Sequence, residues 1–474
     1  MKILNKLTAC VLLALSGQAV CAATDASGNY LRVEPFYIEP GCTLTVNLNM
    51  VNDTEICAYQ ADIELPEGII VTSQSFGAVK IYGIANAQSR IYPSLPPTIS
   101  SEMVDDVFRV VCYHPQNVPF IGNEGAVATI TVCADKSLKA GVYDVKVKNA
   151  ELATPASVPY NPDPEVTSAT VGEKDSESLT LAGDFDEEAA NTLNNALASE
   201  PELCVIDMTG VTSFPNILLD AANPNALIYL PSSDKVAVAN AVNVVRDGVC
   251  DRIELTDGYP FAVGDEFTIS TGEYSRTLKG GDYGTVVLPF AIDEATRDMY
   301  LFYSYSYRNG TDMTFTLVDN PLPGVPYLYV CKDETADCQG FTALPSSSVD
   351  GYIDNGTTIG EWQTKGTFRK IEVADADVLD CTYYISGGKM RNATKSLTIN
   401  PFRAYFAGPS YSATFGSGEA KSFRIVLSDE VSGIDSVITE KKSGRYYDLN
   451  GNVVPSPDRS GVYVRDGKKY YIKK

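Results

Sequence analysis

The chain has 474 residues, 44% apolar and 20% charged, which suits a folded protein of about three domains. Its 60 acidic residues against 37 Lys and Arg give a net charge of −23, which repels nucleic-acid phosphates and anionic lipid and argues against both as partners. Tyr (28 copies), Thr and Val are heavily used, and branched and aromatic side chains fit a pleated surface, so the expectation is a mainly β, multidomain protein.

Residues 1–23 read as a cleavable signal peptide. Lys2 and Lys6 precede the apolar run L-T-A-C-V-L-L-A-L, and Val20 and Ala22 stand at −3 and −1 of a cleavage point. The run is too short to cross a bilayer and no stop-transfer segment follows it. Cys21 raises a lipoprotein alternative, but Gln18 and Val20 fit a lipobox poorly, so cleavage after Ala22 or Ala23 is expected. The protein is accordingly expected at the cell surface or outside the cell, with the periplasm as the alternative.

Residues 24–155 alternate in the period of two expected of half-buried strands. Leu44, Val46, Leu48 and Met50 share one face, as do Cys57, Tyr59, Ala61, Ile63 and Leu65, and Phe108, Val110 and Cys112. Turns at Pro40-Gly41, Pro66-Glu67-Gly68 and Gly122-Asn123-Glu124-Gly125 separate such runs, a spacing that predicts a β-sandwich. The order P-G-C-T-L-T-V-N-L, A-Y-Q-A-D-I-E-L-P-E-G-I, F-R-V-V-C-Y and A-G-V-Y-D-V-K-V resembles the cohesin-like modules. That resemblance implies a jelly-roll sandwich related to a class of carbohydrate-binding modules.

Residues 156–177, with Asn161-Pro162-Asp163-Pro164, read as a linker. In 178–249, L-T-L-A-G leads into a helix that Asp184 can cap, with Phe185, Ala189, Leu193 and Leu197 at helical spacing. The strands C-V-I-D-M and A-L-I-Y-L follow. Strand, helix, strand resembles one or two leucine-rich-repeat steps, too few to bury a core alone, so this α/β segment is expected to pack on the next domain.

Residues 250–430 return to β with no βαβ rhythm, and a second β-sandwich is the simplest reading. The order N-P-N-A-L-I-Y, D-G-Y-P-F, T-V-V-L-P-F, P-F-R-A-Y-F resembles a module of large exported Bacteroidota proteins. In 431–474, the turn Leu449-Asn450-Gly451, the strand Gly461-Val462-Tyr463 and the basic end Lys468 to Lys474 resemble the type A C-terminal sorting domain of type IX secretion substrates. A plain solvated terminal hairpin is the alternative. Asp435-Ser436-Val437 fits the short Asp-Ser/Thr-aliphatic O-glycosylation pattern, making Ser436 a candidate acceptor.

Chemistry is sparse. The single histidine, His114, lies before Pro115 at a strand end and reads as a loop residue; Ser-His and Cys-His machinery would each need it. No G-x-S-x-G, Walker, H-E-x-x-H or G-x-G-x-x-G pattern is present. A carboxylate-pair glycosidase needs only two acids, but no segment reads as its scaffold. Of the 11 cysteines, Cys10 and Cys21 fall in the signal, leaving an odd nine. Most are expected reduced and buried, with Cys331–Cys338 as the candidate disulfide, closing a short hairpin. Asp375, Asp377 and Asp380 gather hard oxygen donors and form the candidate calcium site, against a solvated acidic loop. Tyr303, Tyr305 and Tyr307 alternate with serines and form the candidate ligand platform, against a covered sheet face.

The expected function is that of an exported, non-enzymatic modular protein serving adhesion or the binding of a glycan or extracellular protein, with no transmembrane segment and no obligate cofactor. The alternatives are a carbohydrate-binding accessory component of polysaccharide degradation and a structural stalk or fimbrial spacer.

Overall fold

The structure, a computed structural model, describes residues 28–76, 79–355, 358–393, 395–415, 422–428, 446–447, 453–454, 461–465 and 468–472. The signal sequence and Ser436 lie outside the described residues.

The first unit runs through β1 (Tyr30–Val33), β2 (Phe36–Ile38), β3 (Thr43–Val51), β4 (Ala58–Glu64), β5 (Ile69–Val71), the hairpin β6 (Ser73–Phe76) and β7 (Val79–Tyr82), and β8 (Ile84–Asn86). It continues with β9 (Thr98–Val104), β10 (Val107–Tyr113), β11 (Glu124–Ala134), β12 (Gly141–Ala153), β13 (Pro159–Tyr160) and β14 (Glu165–Val171). Two sheets face each other: β1-β3-β11-β5 with β8, and β2-β14-β12-β4-β10-β9 with β13. The alternation in sequence is the reason. Val46, Leu48 and Met50 of β3 meet Tyr59, Ala61 and Ile63 of β4 and Phe108, Val110 and Cys112 of β10 in one core. Arg90 is buried here, with no carboxylate partner among the described residues, and donates to the carbonyls of Met50 (2.8 Å), Ile121 (2.8 Å) and Gly122 (2.6 Å) and to Asn52 Oδ1 (2.7 Å).

The expected linker is in part a strand. β14 pairs antiparallel with β12 and parallel with β2, so the sandwich extends to Val171. Its polar composition hid it: Thr167, Ser168 and Thr170 are buried, and their hydroxyls have no hydrogen-bond partner among the described residues. One face of β14 belongs to the sandwich, and the helix Glu187–Leu197 of the next unit packs against this strand.

That unit contains β15 (Glu173–Lys174), β16 (Ser178–Asp184), the helix, β17 (Val205–Ser213), β18 (Leu227–Leu230), β19 (Val244–Arg246), β20 (Val249–Thr256) and β21 (Phe267–Leu278). The helix is capped by Asp186, not Asp184: the Asp186 carboxylate accepts from the Ala189 N–H at 2.8 Å. Its expected apolar positions Phe185, Ala189, Leu193 and Leu197 are all buried. Gly183 sits at φ +94°, where an added Cβ would stand 3.2 Å from the Val142 amide nitrogen, so only glycine lets the two units approach this closely. Arg32 meets Glu188 at 3.0 Å across the same seam. Strands β16 to β19 run parallel. Buried asparagines tie their turns: Asn225 donates to the carbonyls of Thr256 and Tyr259, both at 3.0 Å, and Asn243 to those of Pro224 (2.9 Å) and Glu254 (3.0 Å).

The remaining main strands are β22 (Gly284–Val286), β23 (Tyr300–Asn309), β24 (Asp312–Val318), β25 (Tyr327–Cys331), β26 (Cys338–Thr342), β27 (Ser348–Val349), β28 (Gln363–Thr367), β29 (Ile371–Val373), β30 (Thr382–Ser386), β31 (Lys389–Asn392), β32 (Leu397–Ile399), β33 (Arg403–Ala407) and β34 (Ser422–Ser428). The expected boundary at 249/250 is not one. A single sheet runs β15-β16-β17-β18-β19-β20-β21-β26, with β27 on β21, and one core joins Cys204, Leu227 and Tyr229 to Phe261, Phe302 and Phe341. Opposite lies a sheet ordered β22-β25-β23-β24-β34-β31-β30-β33-β28. It curls until its ends meet: Thr285 of β22 donates from Oγ1 to the Ala404 carbonyl at 2.9 Å and accepts from the Ala404 N–H at 3.1 Å. The curl encloses a second core, so this region is a sheet pair with one member rolled up rather than a plain sandwich.

In the tail, β35 (Tyr446–Tyr447), β36 (Val453–Val454), β37 (Gly461–Arg465) and β38 (Lys468–Ile472) form a small antiparallel sheet ordered β36-β35-β37-β38.

Candidate functional site

The tyrosine platform does not exist. Tyr303 and Tyr305 are 2% and 7% exposed, inside the curled sheet with Phe315, Trp362, Tyr383 and Phe406. Only Tyr307 is open, at 56% exposure, beyond an irregularity that shifts the β23–β24 register between Tyr305 and Tyr307. Alternation holds from Tyr303 to Tyr305 and breaks before Tyr307, and sheet curvature makes the expected outer face of the first two an interior.

The three aspartates do not converge either. Asp375 caps the short helix Ala376–Asp380, accepting from the amides of Asp377 (3.0 Å) and Val378 (3.2 Å). Asp380 instead accepts from the hydroxyls of Ser410 (2.5 Å) and Ser412 (2.8 Å), which hold its carboxyl below the usual range. Asp377 is exposed. Among the described residues no cluster of three His, Cys, Asp or Glu side chains could hold a metal ion.

Cys331 and Cys338 are both buried free thiols. The strands that carry them, β25 and β26, pair with other strands and not with each other, so they do not close a hairpin. His114 is buried with both ring nitrogens engaged: Nδ1 accepts from the Gln116 N–H at 3.1 Å, which leaves Nε2 as donor to the Leu95 carbonyl at 3.1 Å. The concavity beside it encloses only about 10 Å³. Burial pushes the thiols of Cys112 and Cys204 up to about 12 and that of Cys250 up to about 11, so they are not thiolate nucleophiles at neutral pH.

What the fold does assemble is a charged face on the larger sheet of the first unit. With Tyr59, Ala61 and Ile63 turned inward, β4 presents Gln60, Asp62 and Glu64 on its other side. Register places Arg109 of β10 and Lys148 of β12 on either side of Asp62, and Glu102 of β9 beyond Arg109. The result is a row of alternating sign across four strands: Glu102, Arg109, Asp62, Lys148. Asp62 is gripped by the Arg109 guanidinium at 2.7 and 2.8 Å. A bulge in β12 puts Asn149 at φ +49°, and its amide donates to Asp62 Oδ2 at 2.9 Å. The Arg109 hydrogen bonds hold the Asp62 carboxyl below the usual carboxylate range, against the opposing effect of burial. Lys148 turns its ammonium to Glu64, and the two side chains keep 46% and 42% exposure. The face is polar; its central Asp62 side chain is only 7% exposed, and the Arg109 side chain beside it is 34% exposed.

Sequence reading passed over these residues because it followed the apolar phase of each strand. The signal was in the other phase: Q-x-D-x-E in β4 opposite the lone Arg of V-F-R-V-V and the lysines of V-K-V-K.

No family model matches the chain, and no curated protein matches it. Among solved structures, a chain of a type I cohesin–dockerin complex from Clostridium thermocellum is 16% identical with a TM-score of 0.26, covering 30% of this chain and 98% of that one. The cohesin module of a family 33 glycoside hydrolase from Clostridium perfringens is 11% identical with a TM-score of 0.24, covering 31% and 96%. A non-cellulosomal cohesin from the archaeon Archaeoglobus fulgidus is 6% identical with a TM-score of 0.23, covering 30% and 90%. These structural neighbours are cohesin modules, β-sandwiches, set beside a chain that is itself mainly β.

Proposed function

We propose that this chain is an exported, non-enzymatic modular β-protein whose first unit binds an extracellular protein across the outer face of its larger sheet. The observation that carries this reading is the alternating row Glu102, Arg109, Asp62, Lys148, whose central pair Arg109 and Asp62 is fixed by their mutual bonds and by Asn149. Charges already fixed in place lose little conformational freedom on docking, and complementary patterns of sign select a partner and its register. A glycan partner is less favoured because sugars stack on open aromatic faces, and two of the three candidate rings are interior. The non-enzymatic part is supported by the sole histidine, whose two nitrogens are both committed to backbone. Export follows from the signal-like residues 1–23, and the resemblance of 431–474 to a sorting domain gives the address; deletion of 432–474 is then expected to leave folded protein in the periplasm.

The test is a photo-crosslinking residue at Gln60, on the charged face, compared with one at exposed Ile70 on the opposite sheet, in cells making the full chain. A protein adduct from position 60 that disappears with Arg109→Glu is expected. Equal adducts from both positions, glycan-array retention without any protein adduct, or ordinary turnover of polysaccharide or peptide by the mature protein would each overturn the proposal.

A further inference from the structure

Cys331 ends β25, in the curled sheet, and Cys338 begins β26, at the edge of the sheet opposite. They are 3% and 8% exposed. Their neighbours are exchanged. Cys331 Sγ donates to the Leu278 carbonyl at 3.6 Å, and Leu278 is the register partner of Cys338. Cys338 Sγ donates to the Met299 carbonyl at 3.6 Å, and Met299 precedes Tyr300, the register partner of Cys331. Each thiol thus packs against the strand that neighbours the other cysteine, and both lie in one core. Rotation about χ1 at each residue swings Sγ away from its carbonyl and toward the other sulfur, which a disulfide holds at about 2.03–2.05 Å.

We infer that Cys331 and Cys338 form a disulfide that clasps the edges of the two opposed sheets, made by exchange with a disulfide oxidant of the glutathione class. The thiolate of one cysteine attacks the oxidant's sulfur–sulfur bond, releasing one reduced thiol and leaving a mixed disulfide. The second thiolate then displaces the other oxidant sulfur. Two protein thiols are oxidised, one oxidant disulfide is reduced to two thiols, and the two protons pass to them. Burial pushes the Cys338 thiol up to about 12, so exchange is slow in the closed fold and belongs to the folding chain. The bond requires no partner and no particular address, only the oxidant.

The test refolds the reduced full chain in a buffer of glutathione and glutathione disulfide, then alkylates the folded fraction in denaturant. Lys332 separates the two cysteines for trypsin, so the bond joins peptide 309–332 to peptide 333–365. The expected result is that linked pair, the loss of two alkylatable thiols per chain, and a melting temperature that falls when reductant is added. Cys338→Ser should abolish both the linked peptides and the redox dependence of melting. Folded wild type with both cysteines separately alkylated, or with either linked elsewhere, would overturn the inference without recourse to the variant.

Discussion

Asp257 follows β20 in one sheet, Arg403 opens β33 in the other, and their bidentate contact at 2.8 and 2.7 Å joins the pair of sheets. Tyr274 adds its hydroxyl to the same carboxylate at 2.7 Å. Asp257→Ala would leave the guanidinium, whose side chain is 19% exposed, with the Tyr274 oxygen and the Pro401 carbonyl. Breaking a buried pair by removing one partner costs about 3–5 kcal/mol. The Asp257 side chain retains 31% exposure, and solvent screening brings the expected loss down to about 2–3 kcal/mol. With a urea dependence of about 3 kcal/mol/M, the midpoint for this unit should fall by roughly 0.7–1 M, read by circular dichroism. The effect has a pH signature. Burial pushes the Asp257 carboxyl up, but the bonds from Arg403 and Tyr274 outweigh it and the net pKa is lowered. A carboxyl depressed in the fold contributes stability above its unfolded value of about 3.9 and loses it as pH falls through the folded value. The gap between wild type and Asp257→Ala should therefore be constant from about pH 5 to 8 and narrow below about pH 4. A midpoint within 0.2 M of wild type (roughly 0.6 kcal/mol), or a gap that does not narrow in acid, would refute the clamp.

Other consequences follow from the same geometry. Tyr303→Ala should destabilise by about 3–5 kcal/mol in thermal melts because it opens a cavity in the curled sheet, whereas Tyr307→Ala should stay within about 0.5 kcal/mol; similar effects at both positions would contradict the interior placement of Tyr303. Native iodoacetamide labelling at pH 8 should modify exposed Cys42 well before Cys112 and Cys204, whose thiols at about 12 are about one part in ten thousand thiolate, with peptide mass spectra as the readout. Arg109→Ala should lower stability at neutral pH, with the difference from wild type shrinking as pH falls below about 3.9 and Asp62 takes up its proton, since the Arg109 bonds are the largest influence holding that carboxyl down; a loss independent of pH would show that packing of the Arg stem, not the ion pair, is what matters there.

Much of the fold was legible in the order of residues. Strand phase determined that Val46, Leu48, Met50, Tyr59, Ala61, Ile63, Phe108, Val110 and Cys112 face one core, because side chains alternate across a strand whatever it packs against. The spacing of Phe185, Ala189, Leu193 and Leu197 likewise determined the buried face of the helix. Only tertiary structure decided what lay on the far side of a strand. β14 looked like linker because of its hydroxyls, yet the sandwich and a helix from the next unit pack against it and bury them. Tyr303 and Tyr305 looked like an open face, yet the sheet curls until Thr285 bonds Ala404 and shuts them in. The row of Glu102, Arg109, Asp62 and Lys148 exists only because antiparallel register aligns four strands that sequence leaves scattered. Local periodicity is a property of a few neighbouring residues, but curvature, coverage and register arise from contacts between segments far apart in the chain, and no short window of sequence records them.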